Sequence, residues 1–312
     1  MSAAAPEGAE PPRDRLLDAG IRISIRVAEW IGVEPTLRLG EGLGRAWWTL
    51  HGPRRERVRA QLTQAFPERE PAWIEGIARA VFVHLGLGLA EGLLLASRHR
   101  AALLARVEIE GLEHLEAARK ATEEGGVLVL APHLGSWELA AAKLADTGLP
   151  VAAVYRDTGR PAFERALLRI RGEGVAAIPM GPRAGVHFAR SLDRGRVVLA
   201  LLDQRGKPGE SIDVRFFGKA AATRLAPIKL ARRAGVPIVH GWAQRLPDRR
   251  RHRLTVQPAL ETAAVESDDD EMLRRILQEV TAGFEQAIRA TPGQWIWTHR
   301  RWREPPEEDD PS

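Results

Sequence analysis

The sequence predicts an α/β protein: a mostly parallel central sheet flanked by helices, preceded by a helical N-terminal segment. Two observations carry this prediction. Through residue 105, apolar residues recur at helical spacing. From about residue 106, short apolar runs alternate with helical stretches, as crossover units of a parallel sheet require.

The organisation follows in chain order. Residues 1–15, "MSAAAPEGAEPPRDR", form a polar leader without the apolar centre of a secretory signal, and are expected to be disordered. Residues 16–105 form the helical region. In "LLDAGIRISIRVAEWIGV" (16–33), Asp18, Arg22, Arg26 and Glu29 interrupt the apolar run, which argues against a simple spanning helix. Arg22 and Arg26 share a helical face near Leu17, Ile21 and Ile25, so this helix either lies in a membrane interface or packs on its own domain. "RRERVRAQLTQAF" (54–66) has its apolar residues close to helical spacing. Residues 71–97 start on Pro71 and become apolar on nearly all sides from Val81 to Leu95. That suits a buried central helix or one that also touches lipid. Close packing against another helix would explain its glycines at 86, 88 and 92.

The α/β domain is expected over 106–303, with strands at 126–131, 150–155, 174–180, 196–202 and 236–246. Helices fill 136–147, 161–172, 183–194 and 223–235. Residues 251–260 read as an antiparallel neighbour joined by "RLPDRRRHR" (245–253), an arginine-rich hairpin turn that suits anionic lipid or an acidic carrier better than nucleic acid. A last helix (268–290) opens on acids that suit its N-terminus, and 304–312 form a disordered tail.

The chain has no cysteine, which excludes disulfides, thiolate metal sites and a cysteine nucleophile. The histidines are scattered, and no metal site is expected. A net charge of +5 with nine tryptophans favours anionic partners such as a membrane face or an acidic carrier protein.

In this topology sites gather where strands end and helices begin. His133 in "APHLGSWE" and Asp203 in "LLDQRG" both sit there, at the same edge of one sheet. Glu138, in the first turn of the helix that follows His133, is placed to accept a hydrogen bond from the imidazole and leave its other nitrogen free to take a proton. There is no G-x-S-x-G nucleophile elbow, so the pair would act on a substrate hydroxyl. The competing reading is a helix-start glutamate beside a loop histidine.

"APHLGSWELAA", "LLDQRGKPG", "FFGKAAATRLAPIKLARRAGVPIV" and "PGQWIWTHRRWR" occur in that order. Together they resemble the bacterial lipid A (lauroyl/myristoyl) acyltransferases, within the lysophospholipid acyltransferase superfamily and its H-x4-D/E motif. The resemblance covers about residues 105–303 and implies a glycerolipid acyltransferase-like fold. It implies an O-acyltransferase at the cytoplasmic face of a bacterial inner membrane, peripheral or monotopic, that moves an acyl chain from an acyl carrier protein thioester, or less often acyl-CoA, to a glycolipid hydroxyl. No cofactor is implied. His133 would be the general base and Glu138 its partner. Arg183 corresponds to an arginine contacting phosphate or oxyanion, with Arg171 as its competitor. Asp203 and Gln204 match a "DQ" after a strand, Asp203 supporting the site by pairing with an arginine.

The segment after "DQ" shows no clear period and reads as a loop over the substrate, with Arg205, Lys207 and Lys219 as phosphate contacts. Thr223 reads as the cap of the next helix. In "QWIWTHRRWR", alternating tryptophans fit one face of an extended segment, with a packing role or a lipid-facing one for its arginines. An acceptor of another kind, such as a phosphatidylinositol mannoside, a lyso-lipid or an amino-lipid, fits the same residues. A non-catalytic basic membrane-binding protein fits the charge but not the ordered motifs.

Overall fold

A computed structural model describes residues 11–156, 158–260 and 270–302. The expected tail and residues 1–10 of the expected leader lie outside these residues; Pro12–Arg15, expected in the disordered leader, form the first turn of a helix instead.

Five helices come first: α1 (Pro12–Ile31), α2 (Val33–Leu50), α3 (Gly52–Ala65), α4 (Pro71–Leu95) and the short α5 (Arg100–Leu104). Glycine permits the α2–α4 contact. A Cβ on Gly86 would stand 2.1 Å from the Gly40 carbonyl oxygen, and one on Gly44 2.4 Å from that of Phe82. Gly88 meets no such neighbour. By length and composition α4 is apolar enough to cross a membrane, but half of its apolar stretch is buried inside the protein, and it packs against α2, α3 and the C-terminal segment as a core helix.

The alternating part follows as β1 (Val107–Glu110), α6 (Leu112–Lys120), β2 (Val127–Ala131), α7 (Trp137–Asp146), β3 (Val151–Arg156) and α8 (Pro161–Arg171). It continues with β4 (Val175–Met180), α9 (Ala184–Asp193), β5 (Val197–Leu201), β6 (Ser211–Phe216), β7 (Lys219–Arg224) and α10 (Ala226–Arg233). β8 (Ile238–Arg245), β9 (His252–Val256) and α11 (Asp270–Ala290) close the domain.

Seven strands form one sheet in the order β1-β9-β8-β2-β5-β3-β4. All neighbours are parallel except β8 and β9, the antiparallel pair expected from the sequence. β2 is central and buried on both faces: Val127 and Val129 pack with α4 and α7, Leu128 and Leu130 with α9, α10 and α11. A third cluster joins α3 and α4 to aromatic residues of β6 and the C-terminal segment.

Two expectations fail. Residues 211–224 are not a loop but an antiparallel hairpin, closed by Phe217 and Gly218, both at positive φ as a tight hairpin turn requires. Its apolar Ile212, Val214 and Phe216 alternate with exposed Asp213 and Arg215. Thr223 therefore lies in β7, not at a helix cap; α10 starts later, with Leu225 before it.

Candidate active site

The register of β2 against β5 builds the centre. Ala131 pairs with Leu201, so residues two positions further on, His133 and Asp203, leave the same sheet edge side by side. The Asp203 carboxylate receives the imidazole Nδ1–H on Oδ1 at 2.6 Å and the His133 backbone N–H on Oδ2 at 2.7 Å. The indole Nε1–H of Trp295 donates to Oδ2 as well, at 2.6 Å. Burial alone would raise the Asp203 pKa, but the imidazole charge and these three donors hold it below the ordinary carboxylate value.

With Nδ1–H committed to Asp203, the lone pair of a neutral His133 sits on Nε2. The nearest partner of that nitrogen is the Gln204 amide at 3.3 Å. The Trp137 ring stands edge-on to the imidazole, 5.1 Å between centroids. The result is a buried acid, an oriented imidazole and one nitrogen lone pair turned away from the acid, on a side chain 16% exposed.

Glu138 is not the imidazole's carboxylate. Its two oxygens accept Nε and Nη2 of Arg171 at 3.0 and 3.1 Å, a forked pair. Arg171, at the end of α8, is almost wholly buried and also donates Nη1 to the Ala153 carbonyl at 2.8 Å. One turn of α7 carries Glu138 past the loop that holds His133, and the cation waiting there captures it. Asp203, expected to pair with an arginine, pairs with His133 and Trp295 instead.

The C-terminal segment is part of the site. A 3-10 turn at Pro292–Gln294 leads into a strand-like contact with the His133 loop. Gly135 N–H donates to the Gln294 carbonyl at 3.1 Å and Ile296 N–H to that of His133 at 3.2 Å, with Leu134 opposite Trp295. Gly135 has φ +61°, and a Cβ there would meet the Ala243 carbonyl oxygen at 2.1 Å. Trp295 and Trp297 are buried, with ring centroids 4.6 Å apart, rather than exposed to lipid. Arg301 is buried too: it donates to the Ala222 carbonyl at 2.7 Å and to Thr223 Oγ1 at 2.6 Å, tying this segment to the hairpin.

The remaining expected residues divide. Arg205 and Lys207 are exposed on the chain between β5 and the hairpin, Arg205 in a bridge with Thr223. The charge of Arg205 is felt by His299, as are those of Asp203 and His133. Lys219 is exposed at the start of β7. Arg183 is exposed before α9, at the end of β4, three strands away from β2. Of the two arginines weighed against each other, Arg171 reaches Glu138 and Arg183 lies far from it. The only sequence signal for Arg171 was its place at the end of a helix; Trp295 gave none beyond its aromatic spacing. In the β8–β9 turn, Arg250 is held by Glu34 at 2.8 Å and Glu41 at 2.9 Å of α2, so the basic tract binds the helical region.

Two cavities lie at this end. A narrow apolar slot between α7 and the sheet is walled by Val129, Ala140, Leu144 and Leu199, with Trp137 and Glu138 among its lining. A larger space of about 770 Å³ lies between α2, α4 and the β8–β9 turn, walled by Trp48, Val83, His84 and Leu87. Among the described residues no three His, Asp or Glu side chains are grouped to hold a metal.

Residues 21–304 match the family model of bacterial lipid A biosynthesis acyltransferases. A lipid A biosynthesis myristoyltransferase of Escherichia coli K12 is 29% identical over 265 residues, 83% of this chain and 77% of that protein. The lauroyltransferase of the same strain is 26% identical over 272 residues, 86% of each chain. A phosphatidylinositol mannoside acyltransferase of Mycobacterium tuberculosis H37Rv is 28% identical over 199 residues, 62% of this chain and 59% of that protein.

Proposed function

The chain belongs to the bacterial lipid A biosynthesis acyltransferase family and is an O-acyltransferase with an acyl donor and a glycolipid acceptor; we propose that it carries a fatty acyl chain from an acyl carrier protein thioester to a hydroxyl of a lipid A precursor, with His133 as the general base. The observation that carries this reading is the orientation of His133, with Nδ1–H on buried Asp203 and the Nε2 lone pair turned away from it.

The acceptor hydroxyl gives its proton to Nε2 as its oxygen attacks the thioester carbonyl. The resulting imidazolium lies 2.6 Å from a carboxylate whose other hydrogen-bond donors among the described residues are neutral N–H groups. Collapse of the tetrahedral intermediate breaks the C–S bond and expels the carrier thiolate, which takes the acceptor's proton from His133 and leaves as the thiol. α7 begins beside the imidazole, so its first-turn N–H groups, unpaired within the helix, supply donors for the oxyanion. The acyl chain would enter the slot behind Trp137 and Glu138, with the Glu138–Arg171 pair fixing its mouth.

A membrane face suits such an acceptor. On α1, Leu16, Ile23, Val27 and Trp30 are exposed on one side, beside Arg22 and Arg26; Trp30 is 85% exposed. Leu39, Leu43 and Leu50 extend this apolar surface along α2. Apolar residues rimmed by arginine fit peripheral attachment to an anionic bilayer, here the cytoplasmic face of the inner membrane. The net charge of +5 fits an acidic acyl carrier as donor.

The 28% identity with the phosphatidylinositol mannoside acyltransferase supports a second acceptor class. Transfer assays with acyl carrier thioesters against lipid A precursors, phosphatidylinositol mannosides and lyso-lipids, read by mass, decide between them. In the same assay His133→Ala should lose about 10³-fold or more in turnover while keeping its fold. Near-wild-type transfer by that variant would sink the mechanism.

A further inference from the structure

α4 carries a second polar cluster that the transfer chemistry does not use. Glu91 is 1% exposed and binds Arg245 of β8 through both oxygens, one of them at 2.9 Å from Nη2. His252 of β9 approaches the same carboxylate at 2.8 Å. Two turns earlier on α4 lies His84, also buried.

His84 Nε2 stands 3.1 Å from the carbonyl oxygen of Gly135. A carbonyl oxygen only accepts, so this nitrogen carries the hydrogen. Burial first, and then the charge of Arg245, hold the His84 pKa down to about 3, against the opposing pull of Glu91. A neutral ring with its hydrogen on Nε2 has none on Nδ1, and Nδ1 has no hydrogen-bond partner. His84 is therefore held as one tautomer, a donor aimed at one peptide.

That peptide matters because of where it lies. Gly135 is two residues after His133, in the left-handed turn between β2 and α7. Its N–H is tied to Gln294, and the His133 carbonyl is tied to Ile296. The His133 N–H is tied to Asp203, and the Gly135 carbonyl is a further anchor of the loop, with its donor supplied by α4.

We infer that His84 is a positioning residue for the acyl transfer, fixing the Gly135 peptide and through it the direction in which His133 presents Nε2. This rests on the reading of His133 as the base. A loop free to rotate by a few tenths of an ångström would keep substrate affinity but lose the aligned proton transfer. Loss should therefore fall on kcat and not on KM for the acyl donor.

The test compares His84→Gln, His84→Asn and His84→Leu in the full chain, assayed with acyl carrier thioester and glycolipid acceptor and normalised to folded protein by near-ultraviolet circular dichroism. Gln places an amide N–H where Nε2 stands; Asn places it where Nδ1 stands and falls short of Gly135. His84→Leu and His84→Asn should lose about tenfold or more in kcat, and His84→Gln should recover most of it, with KM for the donor unchanged throughout. Nitrogen-15 spectra of the histidine-labelled wild type should show the neutral Nε2–H tautomer of His84 from pH 5 to 8. Equal kcat in the Gln and Asn variants, or wild-type kcat in His84→Leu, would overturn the inference. If the Leu variant does not fold, the Gln–Asn comparison decides alone. Failure of the underlying reading looks different: His133→Ala would then keep its turnover, whatever the His84 series does.

Discussion

Asp203 and Glu91 are both fully buried carboxylates with a histidine at their side, yet they do opposite things. Glu91 faces Arg245, a permanent cation, and His252; burial would raise its pKa, but those neighbours hold it well below the usual carboxylate range. Its charge is balanced at all times. Asp203 has no cation among its hydrogen-bond partners: two neutral N–H groups, from Trp295 and the His133 backbone, and the imidazole. The charge of Arg301 is felt at Asp203 without a hydrogen bond between them, and a proton on His133 would add a cation in direct contact. A carboxylate compensated in advance is structural; on the proposed mechanism, one that gains its direct cation during the reaction would favour the transition state.

The largest effect that tests this difference is on turnover. Asp203→Asn keeps the shape but lets the amide donate, which turns the imidazole to the tautomer with its hydrogen on Nε2. We expect kcat to fall by about 10³- to 10⁴-fold with little change in unfolding midpoint. A loss below tenfold would mean that Asp203 is only another buried acid, no different in kind from Glu91.

How much of this was legible in the sequence follows from what is local and what is not. The strands, the helices between them and the shared edge of His133 and Asp203 came from period and order. That β5 lies against β2 depends on strand order, which no local spacing encodes, and it is this adjacency that makes Asp203 the imidazole's partner. The H-x4-E spacing pointed to Glu138 because sequence nearness was the available measure. Arg171, 33 positions further along in α8, competes for the same carboxylate and wins. The hairpin over 211–224 did carry a signal, the alternation of Ile212, Val214 and Phe216, hidden by the glycines and charges around it. The tryptophans near the C-terminus were seen as an extended aromatic face, but which way that face turned was set by α3 and α4, distant in the chain.

The next effect is on stability. Glu91→Ala leaves the Arg245 guanidinium buried, its main anion gone, and should cost about 3–5 kcal/mol in urea unfolding. The Asp203 change should cost far less, since it leaves neutral donors behind. Equal losses in the two variants would erase the distinction between the permanently paired acid and the one paired by reaction.

The smallest effect separates the carboxylates from the histidines by pH. Asp203 and Glu91 are both depressed, so each stays ionised in the native state below the unfolded carboxylate value, and each costs stability only as pH falls under that value. Above that, histidines held neutral by burial respond to acid. His84 is lowered to about 3 by burial and Arg245, with Glu91 opposing; His240, packed against Trp242 and Phe284, is lowered to about 4 by burial; His299 is lowered by burial as well and adds a smaller part. Below the unfolded value of 6.5, the unfolded chain binds protons at His84 and His240 that the native protein refuses. Stability is therefore full above pH 6.5 and falls on acidification, with a slope approaching ~2.7 kcal/mol per pH unit between about 6 and 4 for the two sites together. Urea unfolding at pH 8, 7, 6 and 5 measures it. His240→Leu should lower the slope by about 1.4 kcal/mol per pH unit. A flat profile down to pH 5 would mean that His84 and His240 take protons in place, and that α4 does not hold His84 as the neutral donor to Gly135.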